Sequence, residues 1–207
     1  MVTTSCLPPR RAAKRQSGAP TGNLGDVDNV SRSRSLRGSL LVATPALLDP
    51  NFARTVVLVA EHGEAGAMGV VLNRPTETSV GEAVPELAPL AGDGEPVFVG
   101  GPVATDSVLA LAEVDDPEDA SELVLGDVGF IQDPGVVARR GRIFLGYAGW
   151  SAGQIESELD EDSWIVVPAE PDDVFSDQPD ELWSRVLRRQ GGGLALLATM
   201  PVDPSVN

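Results

Sequence analysis

Between residues 38 and 75 three short apolar runs follow one another, at 39–43, 55–60 and 68–72, each rich in Val, Leu or Ala and each stopped by Pro, Asp, Gly or Asn. Runs of this length bounded by turn-forming residues have the signature of buried strands. Only a tight glycine-bounded connection, residues 63–66, separates the second from the third, so those two are predicted to form an antiparallel hairpin. A folded core therefore begins here.

Further along, Ser79 with Glu82 three residues later has the spacing of a capping box. Leu87 and Leu90 supply the apolar side of a short helix that Pro85 keeps irregular. Residues 96–99 and 107–114 are predicted as another strand pair around Gly100, Gly101 and Pro102, and the acidic stretch DDPEDASE at 115–122 as a solvated loop without calcium-loop spacing. Residues 142–147 and 164–167 are the strongest late strands. Between them Ser151 and Gln154 repeat the capping-box spacing before a polar helix, IESELDED. Near the end, Pro179, Asp180 and Glu181 open a helix with Leu182, Trp183, Val186 and Leu187 on one face. It ends in Arg185, Arg188 and Arg189 before Gly191, as the helix dipole favours. Strands outnumber helices and hairpins mix with crossovers, so the expected class is α+β.

Charge divides the chain unevenly. Residues 1–38 hold seven Arg and Lys against two Asp, net +5, whereas residues 39–207 hold eight Arg against 29 acids, net −21. Pro8, Pro9, Gly18, Pro20, Gly22 and Gly25 punctuate a start with no apolar cluster. Residues 1–35 are accordingly expected to be a disordered basic tail, or the product of a start placed too far upstream, and residues 36–207 one domain. So acidic a body repels phosphate polymers and anionic membranes, which disfavours direct nucleic-acid binding by the folded part; contact through the tail would be weak and sequence-blind.

Cys6 is the only cysteine and lies in that tail, so the core can hold neither a disulfide nor a Cys-based metal cluster, and a reducing cytoplasm is the expected location. No apolar run nears the roughly 20 residues of a membrane helix, and no membrane span is expected. Neither a Walker nor a dinucleotide-binding spacing is present, and the expectation is no cofactor and no metal.

Several residues could carry function. His62, the only imidazole, ends a predicted strand beside Glu61; it suits either a general base or pH switch, or a hydrogen-bonded cap on the hairpin turn. Asn73 can bond nearby backbone. Arg74 projects from a loop that Pro75 stiffens, and its planar fork suits either recognition of a carboxylate or phosphate, or tethering of acidic neighbours. Gly100 and Gly101 are expected to make a tight turn. Tyr147, Trp150 and Trp164 cluster with Gly146, Gly149, Gly153 and Gln154, as the wall of a small-molecule pocket or simply as core. The candidate ligand or partner site is His62, Asn73, Arg74, Gly100, Gly101, Tyr147, Trp150 and Gln154.

Five blocks in order, GSLLVATPALLDPNF, EHGEAGAMGVVLNRP, FVGGPV, FLGYAGWSAGQIESELDEDSW and DPSVN, resemble the YqgE/AlgH family of bacterial proteins over nearly all of residues 38–207. The resemblance implies a mixed, largely antiparallel sheet bent into a partial barrel with helices packed outside. It implies less about activity, because some members carry the label of transcriptional regulator while the family pattern lacks a recognised DNA-binding motif. This chain has no helix-turn-helix or zinc-finger spacing either. The first expectation is a non-enzymatic cytoplasmic protein that binds an unidentified protein partner or small effector and acts on transcription, if as a regulator, indirectly. The alternative is a small-molecule enzyme or ligand-binding protein whose pocket joins the EHG, NRP and GYAGWSAGQ segments.

Overall fold

The computed structural model describes residues 35–92 and 94–200; the expected tail through residue 34, with Cys6, and the closing DPSVN block lie outside the described residues. The three opening runs are strands β1 Ser39–Ala43, β2 Val56–Gly63 and β3 Gly66–Val71. β2 and β3 form the expected hairpin, Gly63 opposite Gly66. There follow β4 Pro75–Ser79, helices α1 Val80–Ala83 and α2 Ala88–Ala91, then β5 Pro96–Val99, β6 Val103–Val114, β7 Glu122–Leu125, β8 Val128–Ile131 and β9 Ala138–Ser151. After β9 come α3 Gln154–Asp160, β10 Trp164–Pro168, α4 Pro171–Val174, α5 Pro179–Gln190 and α6 Gly192–Leu197.

The ten strands form one sheet in the order β10-β1-β2-β3-β9-β6-β8-β7, with β5 beside β9 and β4 beside β5. Every pairing is antiparallel except that of β5 with β9. The sheet bends without closing into a barrel. Arg37, just ahead of β1, pairs with Glu122 and donates to the Leu123 carbonyl on β7, at the far end of the strand order. Gly38 approaches β7 so closely that an added Cβ would sit 3.0 Å from the Val124 carbonyl oxygen.

Alternation along the strands explains their almost wholly apolar sequences. Leu40 and Val42, with Leu58, Val70, Phe98 and Phe144, join Leu182, Trp183, Val186 and Leu187 of α5 in the larger core. Leu41 and Ala43, with Val57, Val59 and Val71, turn the other way, against Trp150, Trp164 and Ile155 of α3. Strands buried on both faces carry no polar stripe. A third cluster gathers Val80, Leu90, Val97, Ala110 and Ile143 around α1 and α2.

Local signals place the helices. Glu82 N donates to Ser79 Oγ and Ser79 N to Glu82 Oε2, both at 3.3 Å, forming the expected capping box ahead of α1. α5 buries the four expected apolar residues and stops at Gly191. Its Arg189 grips Asp173 of α4, whose side chain is 1% exposed, through Nη1 at 2.9 Å and Nη2 at 2.8 Å. Hydrogen bonding to Asp173 holds the Arg189 pKa above the usual guanidinium value.

Several expectations change. β5 and β6 do not pair with each other: β5 takes β4 and β9, while β6 takes β8 and β9, because the chain crosses from one edge of β9 to the other between them. The strand expected over 142–147 runs from Ala138 to Ser151, since β3, β5 and β6 all draw on its edges. Pairing with Gly66 also carries Ser151 into β9, so it does not cap α3. Gly153, at φ 75°, takes that place, and Gln154 Oε1 folds back to accept from Ser151 N and Oγ, each at 3.0 Å.

Candidate functional site

The sheet divides the eight candidate residues between two places. At the hairpin end of β2, the His62 side chain is 5% exposed, with Nδ1 accepting from Leu36 N at 3.1 Å and Nε2 lying 2.9 Å from Glu156 Oε1 on α3. An Nδ1 that accepts a backbone N–H carries no proton, so the hydrogen bonds assign the ring proton to Nε2, donated to Glu156. Both ring nitrogens are thus committed, and neither is left to take a proton from a substrate. His62 ties the incoming chain to α3 rather than capping the hairpin turn.

Pairing of His62 with Ala67, and of Ala67 with Trp150, puts His62 and Trp150 on one face of the sheet, the face α3 covers. There Glu158 gathers three donors: the indole N–H of Trp150 at 2.9 Å and of Trp164 at 2.7 Å on Oε2, and Gln154 Nε2 at 2.9 Å on Oε1. Both indoles are nearly buried, and Phe52 packs against each, with ring centroids 6.3 Å and 5.6 Å apart. The aromatic corner is core, its polar atoms satisfied.

Asn73 and Arg74 lie at the other end of β2. Asn73, buried, works as an extra strand residue: its Oδ1 accepts from Val56 N and its Nδ2 donates to Arg54 O, both at 2.9 Å. From Val56 to His62 is six residues of strand, about 20 Å at the usual rise, so Arg74 and His62 do not share a pocket. The pocket joining the EHG, NRP and GYAGWSAGQ segments is therefore not formed. Geometry separates it into an α3 cluster and an Arg74 end.

That second end is a groove of about 330 Å³. Pro50 and Asn51 come to it from DPNF, Val71, Arg74 and Pro75 from VVLNRP, and Val99, Gly101 and Pro102 from FVGGPV, with Thr105 beyond. Arg74 Nη2 donates to Ala53 O at 2.8 Å, which aims the exposed guanidinium, and among the described residues Arg74 makes no ion pair. Arg37, Arg139, Arg140 and Arg189 each pair with carboxylates. The lining contains no Asp or Glu.

Gly100 and Gly101 explain how the chain passes here. A Cβ on Gly100 would sit 2.2 Å from Gly146 O, and one on Gly101 2.2 Å from the Tyr147 carbonyl carbon. The expected tight turn is a backbone-on-backbone crossing over β9, and it brings Gly101 to the groove with Tyr147, half-buried against the main core, behind it. The groove walls Asn51, Val99 and Thr105 went unmarked in the sequence; their signal was position, inside or next to DPNF and FVGGPV. Behind β5, Arg142 is buried, its Nη1 2.6 Å from Val174 O, its Nη2 2.8 Å from Ser176 O, and its guanidinium 4.3 Å from the centre of the Phe98 ring. Burial pushes its pKa down to about 10.

Among the described residues no group of three or more His, Cys, Asp or Glu is placed to hold a metal, and no helix is long and apolar enough to cross a membrane. The family described as AlgH-like, a domain of unknown function, matches residues 40–195. A UPF0301 protein of Streptomyces coelicolor is 50% identical over 197 residues, spanning 87% of this chain and 100% of that protein. One from Thermobifida fusca is 48% identical over 190 residues, spanning 84% and 96%. The crystal structure of a Corynebacterium diphtheriae protein matches with a TM-score of 0.74 at 29% identity, over 82% of this chain and 94% of that one. The solution structure of the AlgH protein from Pseudomonas aeruginosa matches with a TM-score of 0.64 at 34% identity, over 83% and 97%.

Proposed function

The chain belongs to the AlgH-like family, and from that premise we propose that it is a non-enzymatic protein that binds a protein partner or small effector in the groove at Arg74. One observation carries this reading: three sequence blocks distant along the chain converge on a single groove whose lining holds an arginine and no carboxylate. Against catalysis stands the only histidine, whose two ring nitrogens are both committed to structural bonds. We place the protein in the cytoplasm, consistent with a single cysteine at position 6. An effect on transcription would follow indirectly from binding, because a body of 29 acids and eight Arg repels DNA phosphates.

The test is a thermal-shift screen against cellular metabolites, run beside affinity capture from lysate, with wild type, Arg74→Ala, Val99→Asp and the remote control Glu61→Ala. A stabilising metabolite or a captured partner that survives Glu61→Ala and disappears with both groove variants is the expected result. Identical hits for all four proteins would sink the reading.

A further inference from the structure

We propose that the groove at Arg74 is a site for a small organic monocarboxylate with an apolar body, an inference that rests on the groove being the binding site. Its volume, about 330 Å³, is at the lower end of the range of small-molecule sites. Much of the wall is apolar: Val99, 43% exposed, with Val71, Pro50, Pro75 and Pro102. The only cation in the lining is Arg74, and one of its terminal nitrogens is held by Ala53 O, so the fork is oriented before a ligand arrives.

Charge decides between anion classes. A guanidinium matches a carboxylate with two parallel N–H donors, and one cation balances one negative charge. A phosphate or dicarboxylate brings further charge that this lining cannot neutralise, since its remaining side-chain donors are the neutral Asn51 and Thr105. The protein's net charge of −16 adds to the repulsion of a multivalent anion, and Asp49 and Asp106, next to lining residues in the chain, add to it locally. A monoanion meets the least of this repulsion, and the proline and valine walls then favour an apolar body over a hydrated one.

The experiment is titration of isotope-labelled full-length protein into the millimolar range with hexanoate, and in parallel with hexanamide and with inorganic phosphate, followed by amide and arginine side-chain NMR shifts. Hexanoate should move the resonances of Arg74, Val99, Gly101 and Thr105 saturably, while hexanamide and phosphate leave them in place. Arg74→Gln should weaken hexanoate binding roughly 10- to 100-fold, the loss of a charge-assisted pair. Arg74→Lys, which keeps the charge without the fork, should fall between, and spectra of both variants away from the groove should match wild type. No movement with hexanoate, or movement unaffected by Arg74→Gln, overturns the proposal. If phosphate or hexanamide moves these same resonances as strongly, the carboxylate assignment falls while the groove stands as a binding site.

Discussion

Asn73 gives the sharpest test of how the Arg74 end is held. Its side chain takes the place of a strand backbone, accepting from Val56 N and donating to Arg54 O, each at 2.9 Å, and Val56 is fully buried. Asn73→Ala strands the Val56 N–H, at a cost of about 1–3 kcal/mol for a buried unsatisfied donor, and removes a second bond with a net value of roughly 0.5–1.5 kcal/mol. The expected loss is about 2–4 kcal/mol, or a fall in Tm of roughly 5–15 °C for a domain of this size. Urea and thermal unfolding followed by circular dichroism read it, with an unchanged m-value showing that the folded state has kept its compactness. Asn73→Asp is more discriminating, because it keeps the acceptor for Val56 but turns a second oxygen toward Arg54 O. Burial would raise its folded pKa above the unfolded value of about 3.9, so the folded state binds more protons between the two values. Stability should then fall as pH rises through the folded pKa, and the deficit relative to wild type should shrink from about pH 7.5 to about pH 5. An Asn73→Ala loss below about 0.5 kcal/mol, within the scatter of ordinary surface changes, or an Asn73→Asp deficit flat in pH, would refute the account.

Three further outcomes follow from the geometry. Gly101→Ala should cost at least about 1–3 kcal/mol in urea melts, because the new Cβ meets backbone of Tyr147 and Ala148, which cannot yield as a flexible side chain would. A double-mutant cycle with His62→Ala and Glu156→Ala should give a coupling of no more than about 1 kcal/mol, since the Glu156 side chain is 41% exposed and solvent screens the pair. Burial lowers the Arg142 pKa to about 10, well below that of an exposed guanidinium, so above that pH the folded state binds fewer protons than the unfolded chain. Wild type should therefore gain stability relative to Arg142→Met as pH rises above about 10, by up to about 1.4 kcal/mol per pH unit, seen as a steady rise in the wild-type Tm minus that of the variant.

What the sequence revealed depended on how local its cause was. β1 matches its apolar run to the residue, and the Ser79 capping box and the face of α5 follow from spacings within one or two helical turns. β4, PTETS, carries no apolar residue and exists because Phe98 lies opposite Pro75 and Pro96 opposite Ser79, a contact no window of sequence contains. The β7–β8 hairpin went unread, although Gly126 at φ 55° and Asp127 make a two-residue turn between its strands, and the acidic run before it read only as loop. At the site the same division holds. Arg74 stood out by its Asn-Arg-Pro setting, whereas the partner of His62 lies on α3, 94 positions along the chain. Gly100 and Gly101 looked like turn formers because nothing in FVGGPV reveals a second strand beneath it.

β9 and β10 set an order on the birth of the fold. β1 has β2 on one edge and β10 on the other, and β3, β5 and β6 all complete their pairing on β9. A nascent chain halted before Ala138 has its opening hairpin and its apolar runs but lacks the strand that joins them into one sheet. Pairing between segments so distant along the chain is slow, and the apolar surface waiting for it is open to aggregation until it forms. During synthesis β1 has no partner for its second edge until Trp164–Pro168 has left the ribosome.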